Sequence, residues 1–178
     1  MSTERHGLYK IGGTDVTIVG DDLKVGERAP DFVVQANDWS LMRGLGDTAG
    51  KVRILAAMLS LETSVCDRET HRFNEEAASL GTDVVIEVIS TDLPYTQKRW
   101  CGAAGVDRLM TVSDHLTAEF GEKYGVLVKE RRIFRRAVFV VGKDDRIVYA
   151  AYMPEPGVEP DFDAVLRAAR QALGQSSS

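Results

Sequence analysis

Val52-Arg53-Ile54-Leu55-Ala56-Ala57-Met58-Leu59-Ser60-Leu61-Glu62-Thr63-Ser64-Val65-Cys66 is the stretch that decides the fold. The run from Ile54 to Leu59 is apolar on both faces, as in a buried parallel strand, and far too short to span a bilayer. Leu61 to Val65 reads as a short loop. A helix is predicted to begin near Ser64 or Val65, where Ser64 with Asp67 makes a capping-box pattern. Phe73, Ala77 and Leu80 give that helix an apolar stripe, and Gly81 stops it.

The pattern continues on either side. Val84 to Ile89 is a second core strand. Pro94 opens a helix running through Tyr95 to about Ala103. Met110-Thr111-Val112 reads as a short strand, and Leu116 to Tyr124 as a helix stopped by Gly125. Ala137 to Val141 and Ile147 to Ala151 form a hairpin around Gly142-Lys143-Asp144-Asp145. Pro160-Asp161 then opens a last helix with Phe162, Val165, Leu166 and Ala169 on one face. Upstream, Phe32-Val33-Val34 is extended, and Gly44, Gly46 and Gly50 punctuate the loop that follows. Leu8 to Ile11 and Val16 to Val19 flank Gly12-Gly13-Thr14-Asp15 as an N-terminal hairpin. The order predicts an α/β sheet covered by helices, with an antiparallel edge. The whole chain, 1–178, reads as a single domain without internal repeats, ending in a frayed tail from about 174 to 178.

Composition narrows the function. Of 178 residues, 44% are hydrophobic and 28% charged, which fits a globular chain rather than a disordered one. A net charge of −5 disfavours nucleic acid and anionic membranes as partners. Two cysteines are too few for a disulfide-dense secreted scaffold, and Met1 to Lys10 has no apolar leader core, so a reducing cytoplasm is the expected location. Neither GxGxxG nor GxxxxGK[ST] occurs, so nucleotide chemistry is set aside. His6, His71 and His115 are scattered and, with two cysteines, make no zinc pattern.

Three residues carry chemistry. Cys66 follows a buried strand and falls in the first turn of a helix, where unpaired N–H groups and the helix dipole favour an anion. Such a setting suits a nucleophilic thiolate. Arg68 adds positive charge nearby while Asp67 and Glu69 oppose it, so the local sequence also admits an inert, packed cysteine. Cys101, in Lys98-Arg99-Trp100-Cys101-Gly102, is not a CxxC partner; a second cysteine can resolve an oxidised first one. Lys129 to Arg136 is the one basic run. Most of its charges read as a solvated loop, but Arg136 abuts the strand Ala137 to Val141, where a fixed guanidinium can stabilise a thiolate or a developing oxyanion.

Taken in order, Ala29-Pro30-Asp31-Phe32, Thr63-Ser64-Val65-Cys66, Arg72-Phe73-Asn74, Ile89-Ser90-Thr91-Asp92-Leu93-Pro94, Gln97 to Gly102, Ser113-Asp114-His115, Tyr124-Gly125-Val126 and Arg136-Ala137-Val138 resemble the thiol peroxidases of the atypical two-cysteine peroxiredoxins. The resemblance runs from about Tyr9 to Arg170. It implies a thioredoxin-like fold, a central mixed sheet flanked by helices with an N-terminal β-hairpin. It implies that Cys66 is the peroxidatic cysteine, Cys101 the resolving cysteine of the same chain, and that Thr63 and Arg136 assist the thiolate and the peroxide. It further implies hydrogen peroxide and organic hydroperoxides as substrates, thioredoxin as the reductant, a homodimer, and no cofactor or metal. Leu59 departs from the family's proline and should loosen the loop before Cys66; Glu62 departs from its usual aspartate. Two other readings use the same residues: a redox sensor that oxidises without turnover, and a binding domain with inert thiols. Because Gly102-Ala103-Ala104-Gly105 follows Cys101, that segment is expected to be the one that unwinds when a disulfide forms.

Overall fold

The computed structural model describes residues 2–174, so the expected fraying of 175–178 lies outside it. Strands β1 (Glu4–Ile11) and β2 (Thr14–Val19) form the N-terminal hairpin. Its turn is only Gly12-Gly13, at φ 58° and 79°, the mirror-image geometry of a two-residue hairpin. Thr14 and Asp15, expected in the turn, already pair with Ile11 and Lys10.

The remaining elements are β3 (Val33–Gln35), β4 (Leu41–Arg43), β5 (Val52–Ala57), α1 (Ser64–Leu80), β6 (Val84–Ser90), α2 (Pro94–Ala104), β7 (Met110–Ser113), α3 (Glu119–Lys123), β8 (Leu127–Val128), β9 (Ile133–Phe134), β10 (Ala137–Val141), β11 (Ile147–Tyr152) and α4 (Phe162–Gly174). One sheet has the order β11-β10-β5-β6-β7-β3-β4, and a smaller one β1-β2-β8-β9. The central β5, β6 and β7 are parallel; β10 and β11 on one side and β3 and β4 on the other are antiparallel. The sheet is therefore mixed, with antiparallel pairs at both edges.

Both faces of β5 are buried because each is covered by its own layer. Ile54 and Ala56 join Val138 and Val140 beneath Phe73 of α1 and Val165, Leu166 and Ala169 of α4. Leu55 and Ala57 join Phe139 against Phe32, Phe120, Tyr124 and Phe134. The unbroken apolar run of β5 follows from this double cover.

Three sequence expectations change. The helix from Leu116 shrinks to the five residues of α3, because Ala118 adopts a left-handed φ of 54° and interrupts it. Within the basic run, Lys129 to Arg132 are exposed as read, but Ile133–Phe134 pair as β9 and carry Arg135 and Arg136 inside. Gly174, placed in the frayed tail, belongs to α4.

Two ionisable side chains lie inside the sheet, and they are treated differently. Arg53 is fully buried, with its guanidinium bonded to Thr48, Lys51, Gly142, Leu45 and Asp145. Glu87 on β6 is equally buried, yet neither carboxyl oxygen has a partner. Burial pushes its pKa up to about 8, against the pull of Arg53, so the carboxyl is neutral at physiological pH. The folded chain therefore holds a proton that the unfolded chain releases near the ordinary value, and stability falls as pH rises toward 8. Glu87→Gln removes that ionisation. Between about pH 6 and pH 9 the wild type is expected to lose on the order of 2 kcal/mol more than the variant, read from urea denaturation at both pH values.

Candidate active site

The site is assembled where β5 hands over to α1. Met58 and Leu59 continue the buried strand, and the chain then turns through Ser60 to Thr63. Asp92, two residues past β6, clamps this turn: its carboxylate accepts from Ser60 Oγ at 2.7 Å and from the Leu61 N–H at 2.9 Å, while Ser90 Oγ donates to it at 2.7 Å. The turn ahead of Cys66 is thus tied to the next strand of the sheet, and Leu59 packs in the apolar cluster that holds Cys66.

Thr63, not Ser64, is the N-cap of α1. Its Oγ1 accepts from the Cys66 N–H at 3.3 Å and donates to the Ser60 carbonyl at 3.1 Å. Cys66 consequently sits in the first turn, with its side chain fully buried. Arg136 arrives from the start of β10, itself 1% exposed. Its Nη1 donates to Cys66 Sγ at 3.0 Å and to Glu69 Oε2 at 2.8 Å, with Met58 Sδ at 3.7 Å; Nη2 donates to the Pro156 carbonyl at 3.0 Å. Nε is buried without a partner. Burial works against the charge of Arg136, but Cys66 and Glu69 outweigh it and hold its pKa above the ordinary value. Glu69 is pushed up to about 7 by burial, against Arg136. Tyr9 of β1 reaches the same region, its phenol raised to about 12 by burial with Arg136 opposing.

Cys101 is half-buried near the end of α2. Its Sγ lies 3.2 Å from Thr111 Oγ1, which in turn donates to Asn37 Oδ1 at 3.1 Å. Both cysteines are free, and each sulfur has a different partner. The segments that carry them are nevertheless tied together: Trp100 Nε1 of α2 donates to Asp67 Oδ1 of α1 at 3.0 Å, and Arg99 pairs at 2.9 Å with Glu62 in the turn before α1. The structure brings Thr63, Cys66 and Arg136 into one site and leaves Cys101 beside it.

The profile of one protein family, Redoxin, matches residues 24–166. The thiol peroxidase of Oceanobacillus iheyensis is 50% identical over 151 residues, covering 85% of this chain and 91% of that protein. The thiol peroxidase of Bacillus subtilis is 47% identical over 158 residues, covering 89% and 93%. The chain belongs to the Redoxin family, among the thiol peroxidases. A solved peroxiredoxin-like protein from Aquifex aeolicus superposes on this Redoxin chain with a TM-score of 0.85 at 35% identity, over 94% of this chain and 98% of that one.

The histidines of this Redoxin member stay apart: His6 bonds Thr17, His71 packs against Trp100 and His115 against Trp39. Among the described residues no group of three or more His, Cys, Asp or Glu side chains is placed to hold a metal ion. Sequence reasoning assigned no site role to Glu69 or Asp92. Glu69 had a signal, since it lies on the same helical stripe as Cys66 and Phe73, where an acid is out of place. Asp92 falls within the segment Ile89 to Pro94, but its clamp on Ser60 and Leu61 joins stretches far apart in sequence.

The cap on α1 is testable. Thr63→Ala should cost about 1 kcal/mol of stability in urea denaturation, and Thr63→Ser should restore most of it.

Proposed function

We propose that this chain is a thiol peroxidase that reduces hydrogen peroxide and organic hydroperoxides, with Cys66 as the nucleophile. The observation that carries the reading is a buried thiol in the first turn of a helix with a buried guanidinium 3.0 Å from its sulfur. A cysteine that only fills space has no use for such a partner, and burying the arginine is costly unless its donors are met. Only the thiolate attacks peroxide, and the guanidinium stabilises both the thiolate and the charge that develops on the departing oxygen.

In the first step the Cys66 thiolate attacks one peroxide oxygen and the O–O bond breaks. Sulfur is oxidised by two electrons to the sulfenate level, and the alkoxide leaves with a proton as an alcohol, or as water from hydrogen peroxide. The unpartnered Nε–H of Arg136 is a donor left for a substrate oxygen. Thr63 fixes the turn and, when peroxide enters, turns its hydroxyl proton from the Ser60 carbonyl to the bound oxygen. In the second step the Cys101 thiol attacks the Cys66 sulfenic acid, forming a disulfide and releasing water. Thioredoxin then reduces the disulfide by exchange, becoming oxidised in turn.

Bond formation requires the two sulfurs to leave their present partners, since a disulfide needs Cα atoms within about 7 Å and matching side-chain directions. The end of α2 is built to release. Gly105 is left-handed at φ 68°, and its N–H and that of Val106 both bond the Cys101 carbonyl. Unwinding this single turn frees Cys101.

A homodimer is part of the same reading. Trp39, Leu41, Leu93, Tyr95 and Leu116 are large apolar side chains left exposed, and Trp39 stacks near both Tyr95 and His115. A second copy covering this patch removes it from water. A chain with two cysteines, too few for a disulfide-dense secreted scaffold, fits a reducing cytoplasm.

The deciding experiment couples peroxide reduction to thioredoxin, thioredoxin reductase and NADPH. Wild type is expected to turn over, and Cys66→Ser to be inactive. Cys101→Ser should form one sulfenic acid and stop; full turnover by that variant overturns its resolving role. Stoichiometric oxidation of wild type without turnover points instead to a redox sensor. Hydrogen exchange should separately show residues 97–105 losing protection when the protein is oxidised; unchanged protection there rules out the unwinding.

A further inference from the structure

We infer that Glu69 is a positioning residue that competes with the Cys66 thiolate for Arg136, so that the charge on Glu69 sets how readily Cys66 reacts. The inference rests on Cys66 being the nucleophile and adds a control that the reaction itself does not need.

The geometry gives one nitrogen two acidic partners. Arg136 Nη1 donates to Cys66 Sγ at 3.0 Å and to Glu69 Oε2 at 2.8 Å, so the two acids lie within about 6 Å of each other, close enough for like charges to oppose ionisation. Cys66 and Glu69 are both fully buried, and Glu69 Oε1 has no donor at all. With both acids ionised, the cluster holds two anions on one cation in a dry site. With Glu69 neutral, the whole guanidinium charge serves the sulfur.

The surroundings offer little relief. On α1, Arg68 and Arg72 are both exposed and already paired, Arg68 with Glu159 at 3.0 Å and Arg72 with Glu76 at 3.3 Å. Glu159, from the segment before α4, adds negative charge that raises Glu69 further. That segment otherwise contributes the Pro156 carbonyl, an acceptor that also draws on Arg136. From β1 comes the neutral Tyr9 phenol, and from the end of β5 the Met58 thioether. Arg135, next in chain to Arg136, is committed to Asp22 and stacks over Tyr152 at 4.5 Å.

The sign follows. Raising pH strips the proton from the thiol, which activates it, and strips the proton from Glu69 near neutrality, which opposes the thiolate. The two ionisations are coupled, and the wild-type rate climbs with pH less steeply than a lone thiol would. Glu69→Gln keeps an acceptor for Arg136 and abolishes the second ionisation.

The test uses Cys101→Ser as the background, so that oxidation halts at one sulfur, and compares Glu69→Gln with its parent. Two quantities are measured against pH: ultraviolet thiolate absorbance, and the rate of Cys66 oxidation by hydrogen peroxide from quenched intact mass. With Gln, the thiolate is expected to form about one pH unit lower, and oxidation near pH 8 to be about tenfold faster, the gap closing near pH 5.5 where Glu69 is protonated in the parent. Thermal melts confirm that the proteins are folded, and Glu69→Asp, which keeps the charge on a shorter arm, should follow the parent rather than the Gln variant; an Asp variant that reacts like Gln also overturns the competition. Superimposable thiolate titrations, or a uniform slowing at every pH, overturn the competition. If neither protein forms a sulfenic acid, the peroxidase reading falls, while the absorbance titration still decides this one.

Discussion

A guanidinium withdrawn from water needs acceptors on several sides, and Arg136 finds them in three separate stretches of chain. The first turns of α1 supply Cys66 and Glu69; the segment after β11 supplies the Pro156 carbonyl; the end of β5 supplies the Met58 sulfur. None of these is near Arg136 in sequence. The arginine can be buried only once β5, β10 and α1 have taken their final places, so the site and the fold are completed together. Removing the side chain would strand the Glu69 carboxylate in the interior without the one side chain it bonds among the described residues, a loss of the kind that costs several kcal/mol when one member of a buried pair is deleted.

The sheet makes that convergence possible. β5 is paired with β6 in parallel and with β10 in antiparallel register, with Ala57 opposite both Ile89 and Ala137. The carboxyl end of β5 therefore lies beside the carboxyl end of β6, which carries Asp92, and beside the amino end of β10, which carries Arg136. The clamp on the turn and the cation on the sulfur are delivered by the two neighbours of one strand. Polar groups so placed at a strand end, with a helix start above them, are a common location for chemistry in α/β proteins.

Much of this was legible in the sequence because it depends on local pattern. The doubly apolar β5, the stripe of α1, the existence of the N-terminal hairpin and the stop at Gly81 are each written in short windows. Cys66 and Arg136 stand out in their own short windows, while Thr63 follows only from the resemblance to a known family. What escaped depends on distant partners. Strands of two residues, such as β8 and β9, are too short to show a period; β8 is defined by its pairing with β2, and β9 by its pairing with β8. The stretch from Leu116 reads as one helix by pattern, but the chain around left-handed Ala118 is held by Asp114, whose carbonyl accepts from the Ala118 N–H at 3.0 Å and whose Oδ2 accepts from the Gly121 N–H at 2.9 Å, bonds that an apolar stripe does not reveal. The Ser64–Asp67 pattern points one residue past the true cap, Thr63, because a one-residue shift at a helix start leaves the stripe unchanged.

The complete enclosure of Cys66 has a kinetic meaning. A sulfur with no exposed surface cannot meet an oxidant by collision alone. Some part of the apolar cluster that encloses it, which includes Leu59 and Leu61, must first move, and that opening is an equilibrium of its own. An observed rate is then the intrinsic reactivity multiplied by the fraction of time the sulfur stands open to solvent.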